Sequence, residues 1–212
     1  PPSNKALLDA LAAEFRKQKY DLKQLIRVIC ASHVYSLRSL PNDRNASDTR
    51  NYSRHYRRRL RGETLLDGIC EITGSPEKFK AMPPRSASTT VWTRRVESLF
   101  LDAFGRPDPN QDPPCERTPD STAVQALHLM NAPSLHAKIT ADDGRAAKLA
   151  ASKKTGREIV EELYLLAYAR FPTDDEHATA LRFFLDGKIS RREATEDLMW
   201  ALVNTPEFII QN

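Results

Sequence analysis

Glycine is scarce in this chain, with seven in 212 residues and no two close together. Phosphate-cradling loops need clustered glycines, so the nucleotide-binding fingerprints are excluded. Cysteine is nearly absent too. Cys30, Cys70 and Cys115 are too few for a disulfide scaffold and allow at most one bridge within the chain. Cys30 and Cys70 lie in apolar helical stretches and read as small core residues. No apolar run approaches the roughly 18 residues that span a bilayer, so no membrane insertion is expected. No charged-then-apolar leader opens the chain, which begins at Pro1-Pro2-Ser3 like a segment cut from something longer. The five histidines (33, 55, 128, 136 and 177) form no HExxH or His-x3-His pair, and no Cys-x2-Cys stands beside them. His128, among Leu127, Leu129 and Met130, reads as a packing residue. With no CxxCH and no GxSxG, neither haem attachment nor a serine nucleophile elbow is indicated. No metal and no cofactor is expected.

What is present is an ordinary globular composition, 40% apolar and 28% charged. The formal charge of +4 conceals an asymmetry. Residues 1–95 hold 19 Lys/Arg against 9 Asp/Glu, and residues 96–212 hold 13 against 19. A basic half suggests an anionic partner; the plainer reading is that the two halves attract each other.

The apolar spacing is helical almost throughout. Leu7, Leu8, Leu11 and Phe15 form one helical face, and Leu22, Leu25, Ile26 and Ile29 the next. Asp21, with Gln24 three residues on, reads as the N-cap between them. The polar stretch 41–53 (PNDRNASDTRNYS) reads as a mobile loop. Helices are predicted over about 57–73, stopped by Gly74, and over about 94–104, stopped by Gly105. Residues 105–119 (GRPDPNQDPPCERTP) carry five prolines and cannot be regular structure. Thr118-Pro119 then reads as the opening of a helix to about Met130. Three capping boxes follow: Thr155 with Glu158, Thr173 with Glu176, and Ser190 with Glu193. Their helices present Ile159, Leu163 and Leu166, then Leu181, Phe184 and Leu185, then Leu198, Ala201 and Leu202. Short turns between them predict a compact three-helix unit, and Thr205-Pro206-Glu207 opens a last turn. The expectation is an all-α multi-helix bundle with long proline-rich and polar loops. Its parts are a basic helical half (1–105), a proline-rich connector (106–119) and an acidic helical half (120–212), integrated as one domain.

The strongest local anomaly is Arg54-His55-Tyr56-Arg57-Arg58-Arg59-Leu60-Arg61. Guanidinium forks suit phosphate and sulfate, so Arg54, Arg57, Arg58 and Arg61 are anion-binding candidates. On the predicted helix Arg59, Glu63, Asp67 and Glu71 share one face. Cations at a helix start oppose its dipole, so some of these arginines are expected to reach other elements as an ion network. Sparse aromatic interleaving and the acidic second half weigh against nucleic acid. The acid pairs Asp142-Asp143 and Asp174-Asp175 carry no strong catalytic signal; the second sits where acids favour a helix start.

Six segments in order (PPSNKALLDALAAEF, DLKQLIRVICAS, YRRRLRGETLLDGICEITG, FGRPDPNQDPPCERTPDSTAVQALHLMN, LYLLAYARFPTDDE and MWALVNTPEFI) resemble the planctomycete-type secreted domain family of unknown function 1553. Matching positions include Arg58, Arg59, Glu63 and Asp67, then Asp108, Asn110, Cys115, Arg117, Ser121, Gln125 and Asn131, and finally Arg170, Pro172, Asn204, Glu207 and Phe208. The inserted QDPP lengthens the family's proline-rich segment and detaches Cys115 from any fixed role. The resemblance implies a secreted or periplasmic setting, in which this domain closes a large exported protein beside companion domains of the same polypeptide. It carries no established activity. The leading expectation is a non-catalytic helical module that mediates domain packing or polymer interaction. The alternatives are a hydrolase acting on an anionic polysaccharide through Arg58, Arg59, Glu63, Asp67, Asn110, Arg117 and Gln125, and a polyanion-binding module built on the 54–61 arginines.

Overall fold

The structure, a computed structural model, describes residues 2–80, 82–91, 95–107, 123–185 and 187–211. These are eleven α-helices, one 3-10 helix and two strands of two residues each. The fold is all-α, as the periodicity predicts. The chain separates into two compact units, residues 1–58 and 59–211.

In the first unit, α1 (Lys5–Lys17) starts where the Asn4 side chain accepts the Leu7 N–H. Helix α2 (Leu22–Cys30) starts where Asp21 accepts the Gln24 N–H at 3.0 Å, so the predicted N-cap is in place. Neither helix contains a buried residue. Cys30 is exposed, which corrects its reading as a core residue. An apolar face alone does not bury a side chain; a neighbour must cover it.

The second unit opens on Arg59, in β1 (Arg58–Arg59), which pairs with β2 (Ile210–Gln211). The Leu60 N–H continues that pairing to the Ile209 carbonyl at 2.9 Å. This corrects the predicted helix over 57–73: α3 runs only over Gly62–Thr73, with Arg61 at its N-cap. Pairing with a segment about 150 positions away holds the arginines extended and leaves Glu63 in the first turn, where an acid suits the dipole. Arg59 therefore does not share the helical face of Glu63, Asp67 and Glu71. Helix α3 ends at Gly74, whose φ of 68° is the left-handed C-cap conformation. A 3-10 turn covers Ser88–Thr90. Helix α4 covers only Leu99–Ala103, capped by Ser98, rather than starting near residue 94. The predicted opening at Thr118-Pro119 lies outside the described residues; α5 is Ala123–Asn131.

Helices α6 (Pro133–Ile139), α7 (Arg145–Ala151), α8 (Gly156–Tyr168), α9 (Asp174–Leu185), α10 (Arg191–Val203) and α11 (Pro206–Ile209) complete the unit. All three predicted capping boxes form. The Thr155, Thr173 and Ser190 N–H groups donate to Glu158, Glu176 and Glu193, whose own N–H groups donate back to the cap hydroxyls. Helices α8, α9 and α10 touch one another pairwise, giving the expected three-helix unit, and α10 also packs along α7. The core is α3 (Leu65, Leu66, Ile69, Ile72) against α8 (Ile159, Val160, Leu163) and α10 (Leu198, Met199, Leu202, Val203), all 3% exposed or less. Cys70 is half-buried against this core. Leu185 is 78% exposed, against expectation: α9 is seated by Ala180 and His177 instead. Its last turn runs off the core.

Among the described residues, the ion pairs joining the stretch before residue 105 to that after 120 are Glu71–Arg145 at 3.7 Å and Glu77–Lys138 at 3.4 Å. Both take their acid from the basic half, so they do not discharge the charge asymmetry. Arg145 also donates to the Ile72 and Glu71 carbonyls at 3.0 Å, and so satisfies acceptors that a helix end leaves open.

Candidate functional site

The polar loop of the first unit is folded on its own side chains. Asp48 accepts from the Arg50, Asn51 and Ser53 N–H groups and from the Ser53 hydroxyl. Hydrogen bonds from Ser53, Arg50 and Asn51 hold its carboxyl well below the usual carboxylate range. Asn42 and Asn45 cap the preceding turn, and Asn45 reaches the Ser53 carbonyl at 3.3 Å. The Tyr52 N–H donates to the Tyr56 hydroxyl at 2.9 Å, and the two rings lie 5.1 Å apart.

This loop fixes a cleft of about 440 Å³ lined by Ser39, Asp48, Thr49, Arg54, Tyr56 and Arg57. The Arg54 guanidinium lies 5.3 Å from the Tyr56 ring centre. Its Nε is buried and makes no hydrogen bond among the described residues. Arg57, itself a lining residue, donates through Nε to the Ser39 hydroxyl at 3.1 Å. Two arginines outweigh one aspartate here, and that aspartate already holds loop donors. The cleft offers forked donors to an anion.

Arg54 and Arg57 are thus brought together, whereas Arg58 and Arg61 are exposed and do not line the cleft. Ser39, Thr49 and Tyr56 were not legible as site residues. The signal for them was the Asx-rich loop, which reads as turn chemistry rather than as a wall.

The described members of the other predicted cluster are placed as follows. Arg59 donates to the Phe104 carbonyl at 3.4 Å through both terminal nitrogens and lies 5.6 Å from the Phe104 ring centre. Burial lowers its pKa from the ordinary arginine value. Glu63 and Asp67 are one turn apart on α3. Asp67 accepts the Ser88 and Thr89 N–H groups and the Thr89 hydroxyl, so its carboxylate caps the 3-10 turn. Gln125 is buried on α5, at 5% exposure. Asn110, Arg117, Asp108, Cys115 and Ser121 lie outside the described residues. His128 packs edge-on to Phe100 and Phe104, at 5.6 and 6.2 Å. A second cleft, about 330 Å³, is mainly apolar, with Leu129, Met130, Leu135, His136 and Trp200 in its wall.

The densest charge arrangement was missed as a unit. Arg170 donates to both oxygens of Glu176 and both of Glu207, at 2.7–2.8 Å, with its guanidinium 5.7 and 5.4 Å from the Tyr164 and Tyr168 rings. Tyr168 shares a 2.8 Å hydrogen bond with Thr205 and donates to the Leu202 carbonyl; burial pushes its hydroxyl up to about 12. With both oxygens of each carboxylate bonded to Arg170, this knot joins the α8–α9 turn to α11 and serves as structure.

Among the described residues, no three His, Cys, Asp or Glu side chains converge as metal ligands, and no helix is long and apolar enough to cross a membrane. The fold and cleft together define a class: an all-α module with an arginine-lined surface cleft. The chain belongs to the family described as protein of unknown function (DUF1553), PSD1, whose profile matches residues 1–184. The matched stretch includes α3 and α8 of the core; α10 and the Glu207 end of the knot lie beyond it. No curated protein and no solved structure matches the chain.

Proposed function

We propose that the chain is a non-catalytic helical module that binds an anionic polymer, a sulfated or carboxylated polysaccharide, through the Arg54–Arg57 cleft. The observation that carries this reading is the pair of guanidinium groups in one cleft of about 440 Å³, with Arg54 Nε buried and unsatisfied among the described residues. An oxyanion entering the cleft would meet forked guanidinium donors from two arginines rather than one. The surrounding charge agrees: residues 1–58 hold twelve Lys/Arg against five Asp/Glu. The resemblance read from the sequence supports reading the module as part of a secreted or periplasmic protein, beside companion domains of the same polypeptide. Of the two acids in the hydrolase alternative, Glu63 and Asp67, the second already accepts three hydrogen bonds.

Heparin, a sulfated polysaccharide, tests the reading. The chain is expected to bind it at low salt, with affinity falling as salt rises. Arg54→Ala/Arg57→Ala should weaken binding about ten- to a hundredfold, on the scale of two charge-assisted contacts. Arg58→Ala/Arg61→Ala should change it less than about threefold, as for exposed charges outside a cleft. Absent low-salt binding, or equal losses in both variants, overturns the proposal. A fall in polymer chain length that Asp67→Asn abolishes would establish the hydrolase reading instead.

A further inference from the structure

Helices α1 and α2 bury none of their residues, yet both carry a continuous apolar face. On α2, Leu22, Ile26 and Ile29 recur at i, i+4 and i+7 and are 60, 51 and 39% exposed; on α1, Leu7 and Leu8 are 54 and 53% exposed. Helices of 13 and 9 residues are at or below the length that sustains itself in water without burial. A cover is therefore part of what keeps this pair folded. The α2 stripe, seven residue steps from Leu22 to Ile29, runs about 10 Å, two turns of a helix.

The border of the stripe identifies the cover. The acids of α1 are engaged: Asp9 with Lys5 at 2.7 Å, and Glu14 with Lys17 at 3.8 Å. Asp21 is engaged by the Gln24 N–H. Arg16, Lys19, Lys23 and Arg27 make no ion pair among the described residues. Lys23 and Arg27 each follow a stripe residue on α2, so an apolar seam at helical spacing with a basic flank fits a helix whose apolar stripe is flanked by acids. A second copy of the same face would set cation against cation.

We propose that the α1–α2 pair is a docking surface for an amphipathic helix with acidic flanks, separate from the arginine cleft. The probe is a designed helical peptide with a leucine seam and glutamate flanks, titrated into the full chain beside the same peptide with lysine flanks. The glutamate peptide is expected to bind at least about tenfold more tightly, with an advantage that shrinks in salt. Leu22→Glu/Ile26→Glu should abolish that binding while heparin affinity stays at the unsubstituted level, which separates this surface from the proposed function. Should that variant lose helicity, Lys23→Glu/Arg27→Glu keeps the seam and is expected to reverse the preference toward the lysine peptide. Equal binding of the two peptides, no binding, capture by anionic phosphatidylglycerol vesicles in preference to the glutamate peptide, or dimerisation in sedimentation without peptide binding each overturns the proposal.

Discussion

Replacing Arg170 with alanine removes one side chain and five hydrogen bonds, four of them to carboxylate oxygens and one to the Phe171 carbonyl. The side chains of Arg170, Glu176 and Glu207 are 32–37% exposed, so the bridge stands between the surface and buried regimes. The arginine hydrogen bond, ahead of the Thr173 contacts, holds the Glu176 carboxyl down from 4.5 to about 2. Taken in full that depression corresponds to about 3 kcal/mol; solvent screening reduces it to about 1–2 kcal/mol. The Glu207 arm and the contacts with the two tyrosine rings add roughly 1 kcal/mol together. Arg170→Ala should therefore cost about 2–3 kcal/mol, a fall of about 5–10 °C in Tm for a chain of this size.

Urea unfolding followed by circular dichroism measures the loss, and its pH dependence identifies the cause. A carboxyl with a depressed folded-state pKa stabilises fully above its unfolded value, and that contribution disappears as pH falls through the folded value. The parent chain should thus lose the Glu176 contribution between about pH 4.5 and pH 2, while Arg170→Ala shows a shallower decline over the same window. Arg170→Lys should recover less than half of the loss, since an ammonium cannot bridge two carboxylates with paired donors. A cost under about 0.5 kcal/mol, or an unchanged pH slope, would refute the knot as a structural element and reduce it to an ordinary surface pair.

Three further outcomes follow from local geometry. A Cβ on Gly62 would lie 2.8 Å from the Phe104 Cβ, so Gly62→Ala should destabilise by about 1–2 kcal/mol in urea unfolding, although alanine is the better helix former. Asp67→Ala should cost about 1–3 kcal/mol, because it strips the acceptor from the Ser88 and Thr89 N–H groups; Asp67→Asn should cost less, since its amide oxygen still accepts. In peptide-resolved thiol labelling, Cys30 should react at the rate of an exposed thiol. Cys70 should lag at least about tenfold, because burial pushes its thiol up even with Lys138 pulling the other way; equal rates would contradict the burial assignment.

The features legible in the sequence are those whose partners lie within a few residues. The Thr155, Thr173 and Ser190 boxes close over three positions, so spacing alone locates them. Local spacing starts α3 too early because the true determinant is distant: the Leu60 N–H meets the Ile209 carbonyl, and no local propensity announces that bond. Arg170 and Glu207 are separated by 37 positions, and each alone reads as a surface charge. Leu185 and Cys30 show the complementary error. Both stand on a helical apolar face, but a face becomes core only where another element arrives, and periodicity carries no information about arrival.

The arginine stretch resolves by the same distinction between groups that are used and groups that remain available. Arg59 is turned to the Phe104 carbonyl and ring, so its charge holds the fold. Arg58 and Arg61 face solvent, where hydration already satisfies them and an isolated contact is worth little. Arg57 is exposed as well, but its Nε is tied to the Ser39 hydroxyl, and with Arg54 set against the Tyr56 ring the two line one concavity. Holding a guanidinium in place before a ligand arrives removes much of the entropy cost that a free surface arginine would incur on binding. That advantage, not the count of positive charges in the stretch, separates a binding cleft from a merely basic surface. It is also why the double substitution at 54 and 57, rather than at 58 and 61, is the decisive comparison.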